Sequence, residues 1–594
     1  MPHNEHQLDD FFSAPAPQTA GAPSEREGDP VAARIFWRQR FRLLPKVLSF
    51  RERYSIAALA LVVIASIALI PVALWRSSTV VGADTGGSFT EGILGEPRFI
   101  NPVLSYANEV DRDLETLLFS GLLSFDTQGN LIPDLAKTFP EISSDGLNYT
   151  VYLKEHALWH DGKPVTADDV LFTIETIQNP DFGSPLRIAW QGVTVEKVNE
   201  FAVMFKLKTA YAQFPNTLTV GLIPKHIWQD IRPASFALHD LNTRPVGAGP
   251  YRFEKLEKDS VGRISSYTVR AFEDFHAGRP YIDRVTIQFF QSEDALIDAF
   301  KRRQIDSIAG ISPKAQKEIG SPRRITYADT SIPRYFAVFF NQSRSALIAD
   351  RNVRLALSHA TDRDALITDV LHGKGVSVDR PFVESVLSIP DDVAAPAFDP
   401  EKAKAVLTAD GWALGNDGIF AKRGTRLSLT LTTSTQPELA DVAQRIATQW
   451  RTAGVELTVS SLSFVQLQQA IKDRSYDMLL FGVVMSLDPD PFPVWHSSQK
   501  REPGANISLY DNQTADAMLE RARTTLNPLE RASMYHDFQQ IVVQDLPAIF
   551  LYNAQYTYAM DSRIQGAPLK VIATPAERFA GIREWYINTT RSLK

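Results

Sequence analysis

The chain has 594 residues, too many for one hydrophobic core, and its 44% hydrophobic and 22% charged residues are those of an ordinary globular protein. A formal net charge of −7 argues against a general nucleic-acid binder, and no nucleic-acid partner is expected. The absence of cysteine excludes disulfides, thiolate metal sites, cysteine nucleophiles and a lipid attached through cysteine.

Residues 1–30 are rich in Pro, Ala, Gly, Asp and Glu without periodicity, a composition expected to be disordered. From 31 to 53 the pattern changes. Arg34, Arg38, Arg40, Arg42, Lys46, Arg51 and Arg53 are interleaved with Ile35, Phe36, Trp37, Phe41, Leu43 and Leu44, as in a basic segment lying on an anionic membrane surface. Tyr54–Trp75 follows with no charge, long enough as a helix to cross a hydrocarbon core of about 30 Å. The basic flank places the N-terminus in the cytoplasm and the rest of the chain outside. The long tail, the long apolar run and the lack of a clear small-residue cleavage site favour an uncleaved anchor over a signal peptide.

Beyond a Gly-rich linker at 77–87, the chain reads as a globular mixture of strands and helices. A strand is expected at Phe89–Leu94, a helix at Asp111–Phe119, and a short turn-and-helix piece at Pro133–Thr138. Tyr149–Leu153 alternates like a half-buried strand, Trp159–Gly162 reads as a tight turn, and Thr166 caps a helix with two carboxylates in its first turn. Val193–Val198 and Ala202–Leu207 read as paired strands, and Val285–Phe290 as a strongly apolar one. From Tyr335 strand and helix alternate, as in parallel α/β layers: a single helix over Asn352–Leu371, a punctuated helix after Asp399, then strands at Leu427–Leu431, Val455–Val459 and Met478–Val484. Ala548–Tyr552 and Tyr556–Met560 read as two final strands.

Six stretches in order resemble the family 5 extracellular solute-binding proteins, which deliver peptides and some other solutes to ABC importers. They are GEPRFINP (Gly95–Pro102), LLFSGLLSFDTQGNLIPDLA (Leu117–Ala136), WHDGKPVTADDV (Trp159–Val170), PVGAGPYRF (Pro245–Phe253), NVRLALSHATDRDALITDVLHGKG (Asn352–Gly375) and FDPEKAKAVLTADGW (Phe398–Trp412). The resemblance implies an α/β, two-lobed, hinged periplasmic-binding-protein-like fold with an extra subdomain in lobe one, here preceded by one transmembrane helix. The expected boundaries are 1–53 cytoplasmic segment, 54–76 anchor, 77–87 linker, 88–290 lobe one with a subdomain at about 109–189, 291–551 lobe two, and 552–594 returning to lobe one. The chain would cross between lobes near Val285–Phe290 and Ile549–Tyr552. The implied partners are a peptide or small-molecule ligand, ABC permease subunits, and the membrane through residues 54–75. A membrane-tethered sensor of the same fold for a non-peptide solute is the alternative.

In peptide-binding members of that family an Asp after a lobe-two strand holds the ligand's free amine, shortly before an acidic–Pro pair. Here Asp490–Pro491 matches the pair, but counting back four from Pro491 gives Leu487, and the Trp that often follows the strand's glycine is Val483. A small insertion or deletion brings Asp488 to the amine; otherwise Asp488 and Asp490 form Asx–Pro turns. The resulting candidate ligand residues are Glu96, Val483, Met485, Asp488, Asp490, Trp495, Tyr552 and Asn553. No enzymatic activity, catalytic residue, cofactor or metal is expected. His156 and His160, four apart on a strand and turn, do not share a face, and no HExxH, GxSxG or phosphate-loop pattern occurs.

Overall fold

A computed structural model describes residues 49–383, 387–567 and 571–593. The expected disordered tail and most of the basic segment before the anchor lie outside the described residues. The chain divides into two units, Met1–Gly82 with Arg591–Lys594, and Ala83–Thr590.

The first unit carries a 29-residue helix, Phe50–Ser78, that contains the apolar run expected to be the anchor. Ser49 and Glu52 form a capping box at its start, the Ser49 N–H donating to the Glu52 carboxylate at 2.8 Å. Phe50–Ile70 has a mean hydropathy of 2.2 and none of its residues is buried. Leu59, Leu61, Ile64 and Leu69 are all more than 60% exposed. An uninterrupted apolar cylinder of this kind is costly in water and stable in hydrocarbon.

The second unit is built on a 12-stranded mixed sheet. Its spine is one 14-residue strand, Ala548–Asp561, where the sequence suggests two. The strand survives its polar middle because the Asn553 side-chain nitrogen is paired there: it donates to the Ser331 hydroxyl at 2.9 Å and the Ile332 carbonyl at 3.0 Å. Ile325–Ser331 and Arg334–Phe340 both run antiparallel to this spine, with Ser331 opposite Gln555 and Phe336 opposite Tyr552.

Two lobes hang on these paired strands. In the first, Tyr558 of the spine joins a core that includes Phe89, Leu114, Val285 and Trp585. In the second, Ile549 and Leu551 face a core with Val338, Ile446 and Trp450, while Ala548 and Phe550 face another with Phe339, Trp495 and Phe538. That half of the spine is buried on both faces, which explains its unbroken apolar run. The second lobe has the expected parallel pairs, Ser428–Ser434 beside Glu456–Leu462 and beside Met478–Val484. A separate four-stranded antiparallel sheet, including Asn148–Tyr152, Ala202–Leu207 and Val193–Asn199, belongs to the first lobe.

Three further expectations differ from the structure. Arg284–Phe290 is not a crossing strand: it lies between Ser88–Leu94 and Ile264–Ala271 inside the first half of the sheet. The crossing runs through Ser331–Arg334 instead. The expected helix over Asn352–Leu371 is two helices, Arg351–His359 and Arg363–Asp369, because Asp362 caps the second by accepting from the Ala365 N–H at 2.9 Å. Pro133–Thr138 forms no helix; Ala136 bridges to Leu153.

The densest sequence motif is a clasp. Thr166 caps the helix Ala167–Gln178, and Asp169, buried in its first turn, accepts from the backbone N–H groups of Thr166 and Lys225, both at 2.9 Å. His160 reaches the second glycine-rich motif. Its Nδ1 accepts from the Gly247 N–H at 3.1 Å, so its Nε2 carries the proton and donates to the Gly249 carbonyl at 3.1 Å. Burial holds the imidazole neutral, its pKa lowered to about 4. Gly247 is needed for close approach: a Cβ there would stand 1.8 Å from the Leu118 carbonyl oxygen.

Candidate functional site: a cavity shared by the two lobes

The loop Leu207–Phe214 leaves the first lobe's small sheet and meets the loop that follows Met478–Val484 in the second. Tyr211 donates to Asp490 Oδ2 at 3.2 Å, and Arg523 Nε donates to the same oxygen at 3.0 Å. The Arg523 guanidinium also lies over the rings of Tyr211, 5.1 Å away, and Phe492, 4.3 Å away. The Ala212 N–H donates to the Arg523 carbonyl at 2.8 Å. Gln213 donates from Nε2 to the Pro489 carbonyl at 3.1 Å and to the Tyr535 hydroxyl at 3.2 Å, leaving its own Oε1 buried without a partner among the described residues. Burial, and then the Asp490 charge, push the Tyr211 hydroxyl well above its ordinary pKa, so it stays a donor.

These contacts close one side of a cavity of 1310 Å³. Its wall is shared: Tyr106, Phe125 and Tyr211 come from the first lobe, and Asp490, Phe492 and Arg523 from the second. The volume exceeds the range of about 300–1,000 Å³ typical of small-molecule sites, leaving room for an extended ligand. Aromatic rings such as Tyr106, Phe125 and Tyr211 stand in the wall beside charged groups of both signs, among them Arg112, Asp134, Glu520 and Arg523, a lining that suits a solute held by stacking and by charge-assisted hydrogen bonds.

Of the eight residues expected to touch ligand, Asp490 lines this cavity and the other seven do not. Asp488 is committed to Arg531, whose Nη2 donates to both carboxylate oxygens at 2.9 Å. Burial outweighs that partner and, with the Asp490 charge, raises the Asp488 pKa to about 6. Val483, Met485 and Trp495 are packed in a core of the second lobe, Trp495 against Phe339 and Phe550. Tyr552 is buried and stacked on Phe336 at 5.0 Å, Asn553 ties the crossing together, and the Glu96 carbonyl accepts from the Asn108 side chain at 3.2 Å. Leu487, at the position where counting places the amine-binding acid, packs against the first lobe; a Cβ on Gly129 would lie 2.5 Å from its Cδ1.

Tyr211, Gln213 and Arg523 line the cavity, and the sequence reading misses them. Nothing local marks them: Arg523 is one more arginine near the end of the amphipathic helix Gln513–Thr524, and its role depends on what the other lobe brings to it.

Residues 130–505 match the family model for bacterial extracellular solute-binding proteins, family 5, middle region. The chain belongs to this family. The oligopeptide-binding protein AppA of Bacillus subtilis strain 168 is 27% identical over 514 residues, covering 84% of this chain and 92% of the relative. The structure of Bacillus subtilis AppA in complex with a nonapeptide is similar to this solute-binding protein with a TM-score of 0.69 and 27% identity, over 85% of this chain and 100% of that one. NikZ of Campylobacter jejuni, in complex with Ni(L-His), is similar at a TM-score of 0.71 and 27% identity, over 84% of this chain and 99% of that one. Family 5 solute-binding proteins serve ABC importers, and the two-lobed hinged fold is the one the six motifs implied.

Proposed function

We propose that this chain is the membrane-anchored binding subunit of an ABC importer, which traps a peptide or a related small solute between its lobes and hands it to the permease without making or breaking a bond. The observation that carries this reading is the 1310 Å³ cavity walled by both lobes, which are joined by paired strands able to bend. A ligand touching both walls stabilises the closed arrangement over the open one. The size of the cavity favours an extended peptide, in keeping with the oligopeptide-binding relative and the nonapeptide complex. Of the two acids in that loop, Asp488 is committed to Arg531 and Asp490 is the one that lines the cavity.

The lobes are proposed to span 83–331 with 554–590, and 332–553, the boundary following the crossing rather than residue 290. The helix Phe50–Ser78 is proposed to hold the protein in the cell membrane with its N-terminus in the cytoplasm and both lobes outside, replacing a lipid anchor and raising the local concentration at the permease. Native mass spectrometry of the full chain in nanodiscs, purified without refolding, tests the ligand assignment. A bound peptide mass is expected; a metal chelate or sugar in its place would overturn the peptide assignment.

A further inference from the structure

The main sheet ends in two unlike edges. Tyr251–Lys258 forms one, and it is guarded: Lys255, Glu257 and Lys258 are exposed along it, and register shifts interrupt its pairing with Ile264–Ala271. Charges and irregularities of this kind keep a sheet edge from adding further strands. Glu456–Leu462 forms the other edge and has neither device. It pairs in unbroken register with Ser428–Ser434 on one side and with no strand on the other among the described residues. Its single charge, Glu456, is neutralised within the chain by Arg426, whose Nε and Nη2 donate to the carboxylate at 3.0 and 3.1 Å.

The hydrogen bonds at the ends of this strand fix which backbone groups point away from the sheet. The Glu456 N–H donates to the Leu427 carbonyl, and the Leu462 carbonyl accepts from the Thr435 N–H, both at 3.0 Å. Residues 456, 458, 460 and 462 therefore turn their backbone groups inward, and Leu457, Val459 and Ser461 turn theirs outward. Those outward N–H and C=O groups have no partner among the described residues. Apolar surface flanks the open ladder at both ends. Phe464 and Val465, which begin the next helix, Phe464–Lys472, are 70% and 74% exposed. At the other end Leu414, 55% exposed, stands beside Gly454, where a Cβ would lie 3.1 Å from its Cδ1.

We propose that Glu456–Leu462 is a dimer edge, to which a second copy of this chain adds its own Glu456–Leu462, antiparallel, across a two-fold axis through Val459. The strand is complementary to itself in that register. Val459 faces Val459 of the second copy and Leu457 faces Ser461, so every outward N–H and C=O finds a partner. Between them Thr458 faces Ser460, a pair of hydroxyls, and Glu456 faces Leu462, so no like charges are opposed. The same axis carries Phe464 and Val465 of one copy to the end of the strand where Leu414 of the other is exposed, covering apolar surface on both. Like edges close into a pair. Joining Glu456–Leu462 to Tyr251–Lys258 would instead set it against a charged ladder and run on as an open filament. A single ribbon is a small interface, and the anchoring of both copies in one membrane, taken from the reading above, supplies the effective concentration it needs.

The test exploits the lack of cysteine. Full-length T458C and S460C chains carrying different tags are reconstituted together in liposomes, oxidised with diamide and resolved on non-reducing gels, while carbonate extraction of the same liposomes reports membrane insertion. Opposed Cβ atoms lie about 5 Å apart and diagonal ones about 7–8 Å, so the mixed sample should crosslink at least about 10-fold faster than T458C or S460C alone. Adding S461K to both chains, a lysine at an exposed edge position, should remove the crosslink without lowering the melting temperature. V459P, which loses only an outward N–H, should do the same. Equal rates in mixed and single samples, or a crosslink that survives in folded S461K, would overturn the paired edge. Slow amide exchange at 457–461 without any disulfide would assign the edge to a different protein and overturn it equally. Carbonate-resistant chains that fail to crosslink would overturn the dimer and leave the anchored reading standing. Carbonate-extracted chains that crosslink would support the dimer and overturn the anchor, and extracted chains that do not would overturn both.

Discussion

Tyr211 and Asp490 lie 279 residues apart in the chain and meet through a 3.2 Å hydrogen bond that joins the two lobes. Asp490 is simultaneously tied to Arg523 of its own lobe, so the phenol docks onto a carboxylate already oriented to receive it. Replacing Tyr211 by Phe removes the bond and little else. The expected result is a loss of about 1.5 kcal/mol from the closed state, read as roughly a 10-fold faster ligand release. Stopped-flow displacement measures it, and an unchanged release rate would show that the contact does not hold the lobes together.

Asp488 and Arg531 form a largely buried pair that is costly to break. The Arg531 side chain is 5% exposed, and D488A strands its charge. A destabilisation of about 3–5 kcal/mol follows, visible as a fall in melting temperature, whereas replacing both residues by apolar ones of similar volume should recover much of it. If D488A melts with wild type, water must already reach the guanidinium.

The His160 clasp makes part of the stability pH-dependent. Its folded pKa of about 4 lies below the ordinary 6.5, so the unfolded chain takes up the proton first as pH falls. Its contribution is complete above pH 6.5 and declines as pH drops to 4, by about 3 kcal/mol at the lower end. Asp488 acts in the opposite sense, its folded value of about 6 making its contribution largest in acid and smaller as pH rises through 6. Denaturant titrations of wild type and H160N at several pH values separate the two: the difference between the curves should shrink from about pH 7 to about pH 4. A constant difference would place the imidazole outside the stability balance.

Gly247→Ala should be among the most damaging single substitutions, because the backbone carbonyl of Leu118 cannot retreat from a contact of 1.8 Å without pulling its helix. Failure to accumulate as folded protein is expected, with Ala248→Gly as a tolerated neighbouring control. Normal yield of G247A would mean that this turn moves freely.

Removal of residues 1–78 should convert a detergent-requiring protein into one that remains in the supernatant after ultracentrifugation, with ligand binding intact. The absence of cysteine makes orientation simple to test: one cysteine introduced at Ser13 and another, in a second variant, at Ser260 should label from opposite sides of the membrane. Labelling of both from the same side would contradict a single crossing.

Much of the fold is legible in the sequence because local rules and tertiary packing agree there. Asp399–Pro400 starts a helix, Gly411 at φ +86° lies just beyond its end, and Tyr149, Val151 and Leu153 alternate inward as their spacing dictates. The spine reads as two strands because the tripeptide Asn553–Ala554–Gln555 resembles a break until Ser331 and Ile332 are seen to accept from the Asn553 side-chain nitrogen. The cavity is least legible. Asp490 can be found from its Pro neighbour, but Tyr211 and Arg523 acquire meaning only when separate lobes bring them within 5.1 Å. Trp495 shows the converse, an aromatic singled out by its neighbourhood in the sequence that the fold uses entirely for core packing.

The single strand from Ala548 to Asp561 has a mechanical consequence. Two linkers that merely cross side by side allow lobes to swing, slide and twist independently. Here the strand pair stays hydrogen-bonded on both sides of the crossing, from Ser331–Gln555 to Phe336–Tyr552, and such a ribbon resists sliding along its length far more than it resists coiling. Opening should therefore follow a screw-like path, carrying Arg334 and Tyr552 together as a fixed pivot while the far rim, at Tyr211 and Asp490, travels furthest. A solute would be gripped first at the slow end and released first at the fast one.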